Sequence, residues 1–179
     1  TIDNSLRFDD GDNAYLSRTP TSAGNRKTWT LSVWIKRGNL DIHGKILNAY
    51  VDANNETGFY TNSGDTLAFT HADSASLVVN LETTPLYRDP ASWYHLVLAV
   101  DTEQGTASNR AKLYVNGSQV TEFATETYPA EDLEMDVNST VAHYIGRRGD
   151  GATDYDGYLA EFHLIDGTAL TPASFGETN

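Results

Sequence analysis

Along much of the chain apolar and polar residues alternate with a period of two, the period of a strand that buries one face. In TWTLSVWIK (residues 28–36), Trp29, Leu31, Val33 and Ile35 share one face. Thr30, Ser32, Trp34 and Lys36 take the other, so the pattern predicts a strand with one dry face and one mostly polar face. In WYHLVLAVD (residues 93–101), Tyr94, Leu96, Leu98 and Val100 alternate with Trp93, His95, Val97 and Ala99. Both sets are largely apolar, which predicts a strand in the middle of a sandwich. Leu113–Val115 then runs into Asn116-Gly117, a pair that tolerates the positive φ angles of a type I′ turn, and the chain should reverse through Gln119 and Val120.

Further short strands are predicted around Leu6–Phe8, Ala14–Leu16, Ile46–Tyr50, Gly58–Thr61, Leu67–Thr70, Leu77–Leu81, Val141–Gly146 and Tyr158–Ile165. Clusters of Gly, Asn, Asp, Ser and Pro separate them, each a turn former for its own reason. The segment from Thr102 to Arg110 reads as a loop joining two strands. No long window carries a helical stripe. The expectation is an all-β fold, a two-sheet antiparallel β-sandwich or jelly roll, forming a single domain over residues 1–179. Ten Tyr, six Phe and three Trp supply the large side chains for its core.

Composition narrows the function. The absence of cysteine excludes disulfides and thiolate metal sites, and leans towards a bacterial or viral source. A formal charge of −13 disfavours nucleic acid and anionic membranes as partners. Two compatible readings remain: a solvated acidic surface, or carboxylates that hold Ca²⁺ through oxygen ligands. No apolar run approaches the roughly 20 residues of a membrane span, so membrane insertion is not expected. The chain starts at Thr1 with no signal peptide, as expected after processing or for a piece of a longer protein.

Candidate chemistry is sparse. No Gly-x-Ser-x-Gly elbow occurs. The five histidines (His43, His71, His95, His143 and His163) are scattered without the paired spacing of a zinc site. Three of them, His95, His143 and His163, fall in predicted strands, where hydrogen bonding is the expected role. GDGATDYDG is not an EF-hand loop, because aligning Gly157 with the loop glycine puts Ala152 and His163 at ligand positions. Metal candidates are Asp150, Asp154 and Asp156 in that loop, and Asp9, Asp10 and Asp12 in DDGDN. The alternative is that these Asp and Gly residues are turn formers. Asn-x-Ser/Thr sequons stand at Asn55, Asn116 and Asn138.

Three blocks together resemble laminin G-like (concanavalin A-like) jelly-roll modules. They are SLRFDDGDNAYLS with WTLSVWIKRG, then WYHLVLAVD with KLYVNGSQV, then YIGRRG with YDGYLAEFHLIDGTAL. They follow the family's order from residue 5 to residue 170, and their wording looks most like copies in virion proteins of tailed bacteriophages. The resemblance implies a concanavalin A-like jelly roll, with Asp156-Gly157 and Asp166-Gly167 as turns and Glu161 as a structural partner for backbone or Arg groups. A structural Ca²⁺ occurs in the family, which adds weight to the Asp loops. Glucanases of this class need two carboxylates about 5 Å apart. Glu134 and Asp136 mimic part of that motif, but Asn138 and Ser139 stand where the acid/base should be. No catalytic residue is expected.

The leading expectation is therefore a non-catalytic recognition module on a tail fibre, spike or capsid surface, located on the virion surface or otherwise extracellular. It would bind a host-surface glycan and sit among other virion proteins, possible homo-oligomer copies included. The rivals are a structural decoration or assembly protein without sugar binding, and a glycan-cleaving enzyme. Sugar binding needs aromatic faces and fixed polar groups. Candidates are Tyr50, Asn54, Tyr60, Tyr87, Tyr128, Arg147, Arg148 and Tyr155. The pair Arg147-Arg148 either recognises acidic sugars or forms ion pairs with Asp150 and Asp154.

Overall fold

The computed structural model describes residues 2–176. Its strands are β1 (Leu6–Phe8), β2 (Leu16–Arg18), β3 (Thr28–Arg37), β4 (Gly44–Asp52), β5 (Asn55–Thr61), β6 (Leu67–Asp73) and β7 (Ser76–Thr83). After these come β8 (Tyr94–Asp101), β9 (Ala111–Val115), β10 (Ser118–Gln119), β11 (Phe123–Thr127), β12 (Ala142–Ile145) and β13 (Gly157–Asp166). They form two antiparallel sheets, ordered β1-β13-β3-β8-β9-β10 and β11-β7-β6-β5-β4-β12-β2. The all-β sandwich is as the alternation predicts. No helix among the described residues is long and apolar enough to cross a membrane.

The dry face of β3 is the centre of the core. Trp29, Leu31, Val33 and Ile35 are all buried, and β8 lies beside them with Leu31 opposite Leu98 and Val33 opposite Leu96. From the other sheet, Phe69 meets Trp29 edge to face at 5.9 Å. Burial of each such side chain is worth roughly 1.5–3 kcal/mol. The Asn116-Gly117 hairpin forms as predicted, with φ of 50° and 83°. Strand β13 opens at Gly157 because a Cβ there would sit 2.1 Å from the Lys36 carbonyl oxygen, and its φ is 140°.

Three features depart from the predicted pattern. The polar face of β3 is not open to solvent, since Thr30 and Ser32 are buried there. The C-terminal segment crosses it: the Thr30 hydroxyl donates to the Thr168 carbonyl and accepts the Leu170 N–H, both at 2.7 Å. Phe175 packs its ring on His163 and His95 beside it. Second, β2 is shifted to Leu16–Arg18, and β11 forms at an edge where the sequence shows no clear alternation. Third, Glu161 pairs with no Arg; it lies exposed at a bulge of β13 with φ of 48°, 3.6 Å from His163.

One end of the sandwich is tied by a buried ion pair. Arg37 and Asp65 lie 3.1 Å apart with side chains 1% and 4% exposed. Arg37 also donates to the carbonyls of Tyr87 and Asn39, and Asp65 accepts the Asp41 N–H. Three segments, residues 37–41, Asp65 and Tyr87, are thereby joined at one point.

Burial pushes the pKa of three histidines, His71, His95 and His143, below the ordinary value. His143 Nε2 accepts the Asn138 N–H while Nδ1 faces the Val141 carbonyl at 2.9 Å, an arrangement for the neutral ring. In the unfolded chain these rings take protons near pH 6.5, while the native rings resist them. Their contribution to stability is therefore complete above about pH 6.5 and is lost as pH falls towards the native values. Raised carboxylates such as Asp136, held up mainly by burial, act with the opposite sign from the ordinary carboxylate range upward. The urea midpoint is expected to fall between pH 7 and pH 5.5, and His71→Gln should flatten that slope. A midpoint that is constant or rises on acidification would contradict the burial of neutral rings.

Candidate functional site

The outward face of the seven-stranded sheet gathers polar and aromatic side chains in rows set by strand register. One row runs Tyr144, Asn48, Gly58, Thr70, Asn80 across β12, β4, β5, β6 and β7. On either side lie Lys45 opposite Tyr60 and Tyr50 opposite Glu56. The bulge between Lys45 and Leu47 lets Lys45 and Asn48, three apart in sequence, share this face. Gly58 leaves room for the lysine: a Cβ there would lie 2.7 Å from Lys45 Nζ.

Lys45 Nζ sits 4.1 Å from the centre of the Tyr60 ring and 3.7 Å from Glu56. Burial pushes its ammonium pKa down, with Glu56 acting against the shift. The loop after β12 folds over the same face. Arg148 Nε reaches both Glu56 oxygens at 3.1 Å, and Nη1 reaches Asp150 at 2.8 Å. The Gly149 N–H donates to Asn48, and a Cβ on Gly149 would meet the Tyr50 ring at 2.4 Å. Tyr50 thus lies against that backbone, with its hydroxyl 3.4 Å from Asp150. The arrangement offers two half-buried phenol rings and a fixed set of amide, hydroxyl and carboxylate groups.

Of the predicted site residues, Tyr50, Tyr60 and Arg148 converge here. Asn54 is exposed in the adjacent β4–β5 turn, next to the Ala53 carbonyl that Arg148 touches. Arg147 stands behind them, paired with Asp154 at 3.4 Å and placed over the Tyr15 ring. Two expectations are corrected. Tyr87 and Tyr155 are core residues, 8% and 1% exposed, with no ring face free for a ligand. Tyr128 is also elsewhere, beyond the far edge strand β11, bonded to Glu126. Lys45, Asn48, Glu56 and Tyr144 were not anticipated; they lie on strands β4, β5 and β12, with or beside the anticipated tyrosines.

The metal candidates lie in two loops, and several already have protein partners. Asp9 is held by Arg7 and the Gly11 N–H, and Asp150 by Arg148 and the Ala152 N–H. Asp12 is exposed in the β1–β2 loop. Asp154 and Asp156 have pKa values raised mainly by burial, with Asp10 adding repulsion to both. Among the described residues no three His, Asp or Glu side chains gather where one ion could be held. Glycan binding at this face is expected to be equal in calcium and in EDTA; loss in EDTA would show that the loops rearrange around a cation.

Glu134 and Asp136 lie in the loop before β12: Glu134 is exposed against Arg26, and the Asp136 N–H donates to Thr57 beside His71. Two hollows flank the face. One, of about 390 Å³, is lined by Asp10, Asp41, His43 and Asp154. The other, of about 490 Å³, opens between the sheets with Leu16, Ile145, Phe162 and Leu164 in its wall and Arg18 among its polar residues.

With this geometry in place, a family model described as Laminin G 3, concanavalin A-like lectin/glucanases superfamily, matches residues 9–174. The chain belongs to this family. No curated relative matches the sequence. Among solved structures it is similar to a heptameric pentraxin from Limulus polyphemus, at 20% identity and a TM-score of 0.59, covering 96% of this chain and 74% of that one. It is similar to the CBM40 module of a Ruminococcus gnavus sialidase at 13% identity and 0.63, covering 90% and 96%; that module has been solved bound to α2,3-sialyllactose. It is also similar to domain 4 of a Geobacillus stearothermophilus arabinanase in complex with arabinotriose, at 16% identity and 0.56, covering 83% and 65%. At these identities the structures share a fold with this chain, and any function must be argued from the side chains.

Proposed function

We propose that this laminin G-like chain is a non-catalytic carbohydrate-recognition module that binds glycan on the outward face of its seven-stranded sheet. The observation that carries the reading is the convergence of Tyr50, Tyr60 and Arg148 on one face, with Asn48 buried beneath them and holding the Gly149 N–H. Half-buried phenol rings pack on the apolar faces of sugars, and groups already fixed by neighbours orient hydroxyls at little entropic cost. Sugar-bound relatives of the same fold support it. The non-catalytic part rests on the carboxylates: Glu56 and Asp150 are both engaged as acceptors, and Glu134 and Asp136 lie elsewhere.

The finer setting is a bacterial surface glycan recognised by a phage particle, supported by the wording of the sequence motifs. A second reading, an assembly module, draws on the short edge strands β1 and β2, where Leu6 and Leu16 are 55% and 48% exposed. An array of bacterial glycans probed with the purified chain separates the two. Binding to a defined subset supports recognition. Silence from a folded sample, with self-association in sedimentation, favours assembly.

A further inference from the structure

We infer that the face selects neutral glycans, and that Asp150 is the specificity-determining residue that excludes anionic ones; this rests on the glycan reading above. Recognition of a sugar carboxylate calls for a guanidinium fork free to make two parallel hydrogen bonds. Arg148, the guanidinium between Tyr50 and Glu56, has no such fork free. Arg148 uses Nε on Glu56, Nη1 on Asp150 and Nη2 on the Ala53 carbonyl. Arg147 makes no hydrogen bond through Nε, but its charge is matched by Asp154 at 3.4 Å and its guanidinium stacks on the Tyr15 ring. Lys45 is enclosed between Tyr60 and Glu56, with its side chain 8% exposed.

Charge gives the same answer. Lys45, Arg147 and Arg148 are matched by Glu56, Asp150 and Asp154, and the same face carries Glu82 opposite Ala68 as well. An incoming carboxylate would meet an additional negative group with no cation to spare. The chain as a whole carries −13, which opposes its approach from further away.

The two partners of Arg148 differ in depth. Glu56 is 13% exposed and holds the inner edge of the fork, whereas Asp150 is 32% exposed and covers its outer arm beside Tyr50. Removing the Asp150 charge therefore uncovers Nη1 on the solvent side while Glu56 still positions the guanidinium. The same fold carries a sialyllactose complex in one relative and an arabinotriose complex in another, so the backbone does not decide ligand charge. The side chains do.

The test is a glycan array with neutral, uronate-containing and sialylated members, probed with the wild type, Asp150→Asn and Asp150→Ala. Asn keeps an acceptor for the Ala152 N–H, and the urea midpoint of each variant establishes folding. The wild type should bind neutral members only. Either variant should gain acidic members by about tenfold, roughly one charge-assisted hydrogen bond, and lose that gain in 0.5 M salt. Equal wild-type binding of acidic and neutral members, or no gain in folded variants, overturns the selection alone. A wild type silent on every glycan overturns the glycan reading and the selection with it.

Discussion

Arg37→Met is expected to lower the stability of the fold by about 3–5 kcal/mol, the cost of leaving one partner of a buried ion pair without its counter-charge. The side chains concerned are almost wholly enclosed, so water cannot take over the missing hydrogen bonds. The loss should exceed that of a typical surface ion pair such as Arg7–Asp9, whose arginine is 63% exposed. Adding Asp65→Asn should restore a sizeable part. It removes the orphaned charge, keeps an acceptor for the Asp41 N–H, and suits the left-handed backbone at this position, where φ is 62°. Urea unfolding of the single and double variants measures both effects. A single variant within about 1 kcal/mol of wild type would mean that the pair does not hold this end of the sandwich.

Tyr60→Ala and Tyr50→Ala are expected to weaken glycan binding by roughly 30-fold each, the scale of an aromatic hot spot. Both rings lie on the outward face with one side packed, Tyr60 under the Lys45 ammonium and Tyr50 against Gly149. Tyr60→Phe keeps the ring and should retain most of the affinity. Titration calorimetry with the best array hit gives the numbers, and the urea midpoint separates lost contact from lost structure. Full affinity in both Ala variants would move the site off this face.

The sandwich was legible because its central strands obey a strict two-residue period. The dry face of β3 and the two apolar faces of β8 follow directly from it, and so does the Asn116-Gly117 hairpin. The C-terminal cover over β3 was not legible. Thr30 and Ser32 look solvent-facing by composition, and only the tertiary path of residues 167–176 buries them.

The site was half legible. Tyr50, Tyr60 and Arg148 were found as ring and charge candidates near turns. Tyr87 and Tyr155 matched the same description, yet they face inward, and one sequence cannot tell a rim tyrosine from a core one. Glu56, Gly58 and Tyr60 do alternate on one face of β5, a signal that could have placed Glu56. Lys45 could not have been placed this way, because the bulge at the following residue breaks the alternation.

The most direct test is an NMR titration of the ¹⁵N-labelled chain with its strongest glycan ligand. Shifts are expected to cluster at Tyr50, Tyr60, Asn48, Tyr144 and Arg148 on the outward face of the seven-stranded sheet. A cluster instead around Leu16, Phe162 and Leu164, or under the C-terminal cover at Trp34 and His95, would contradict the site.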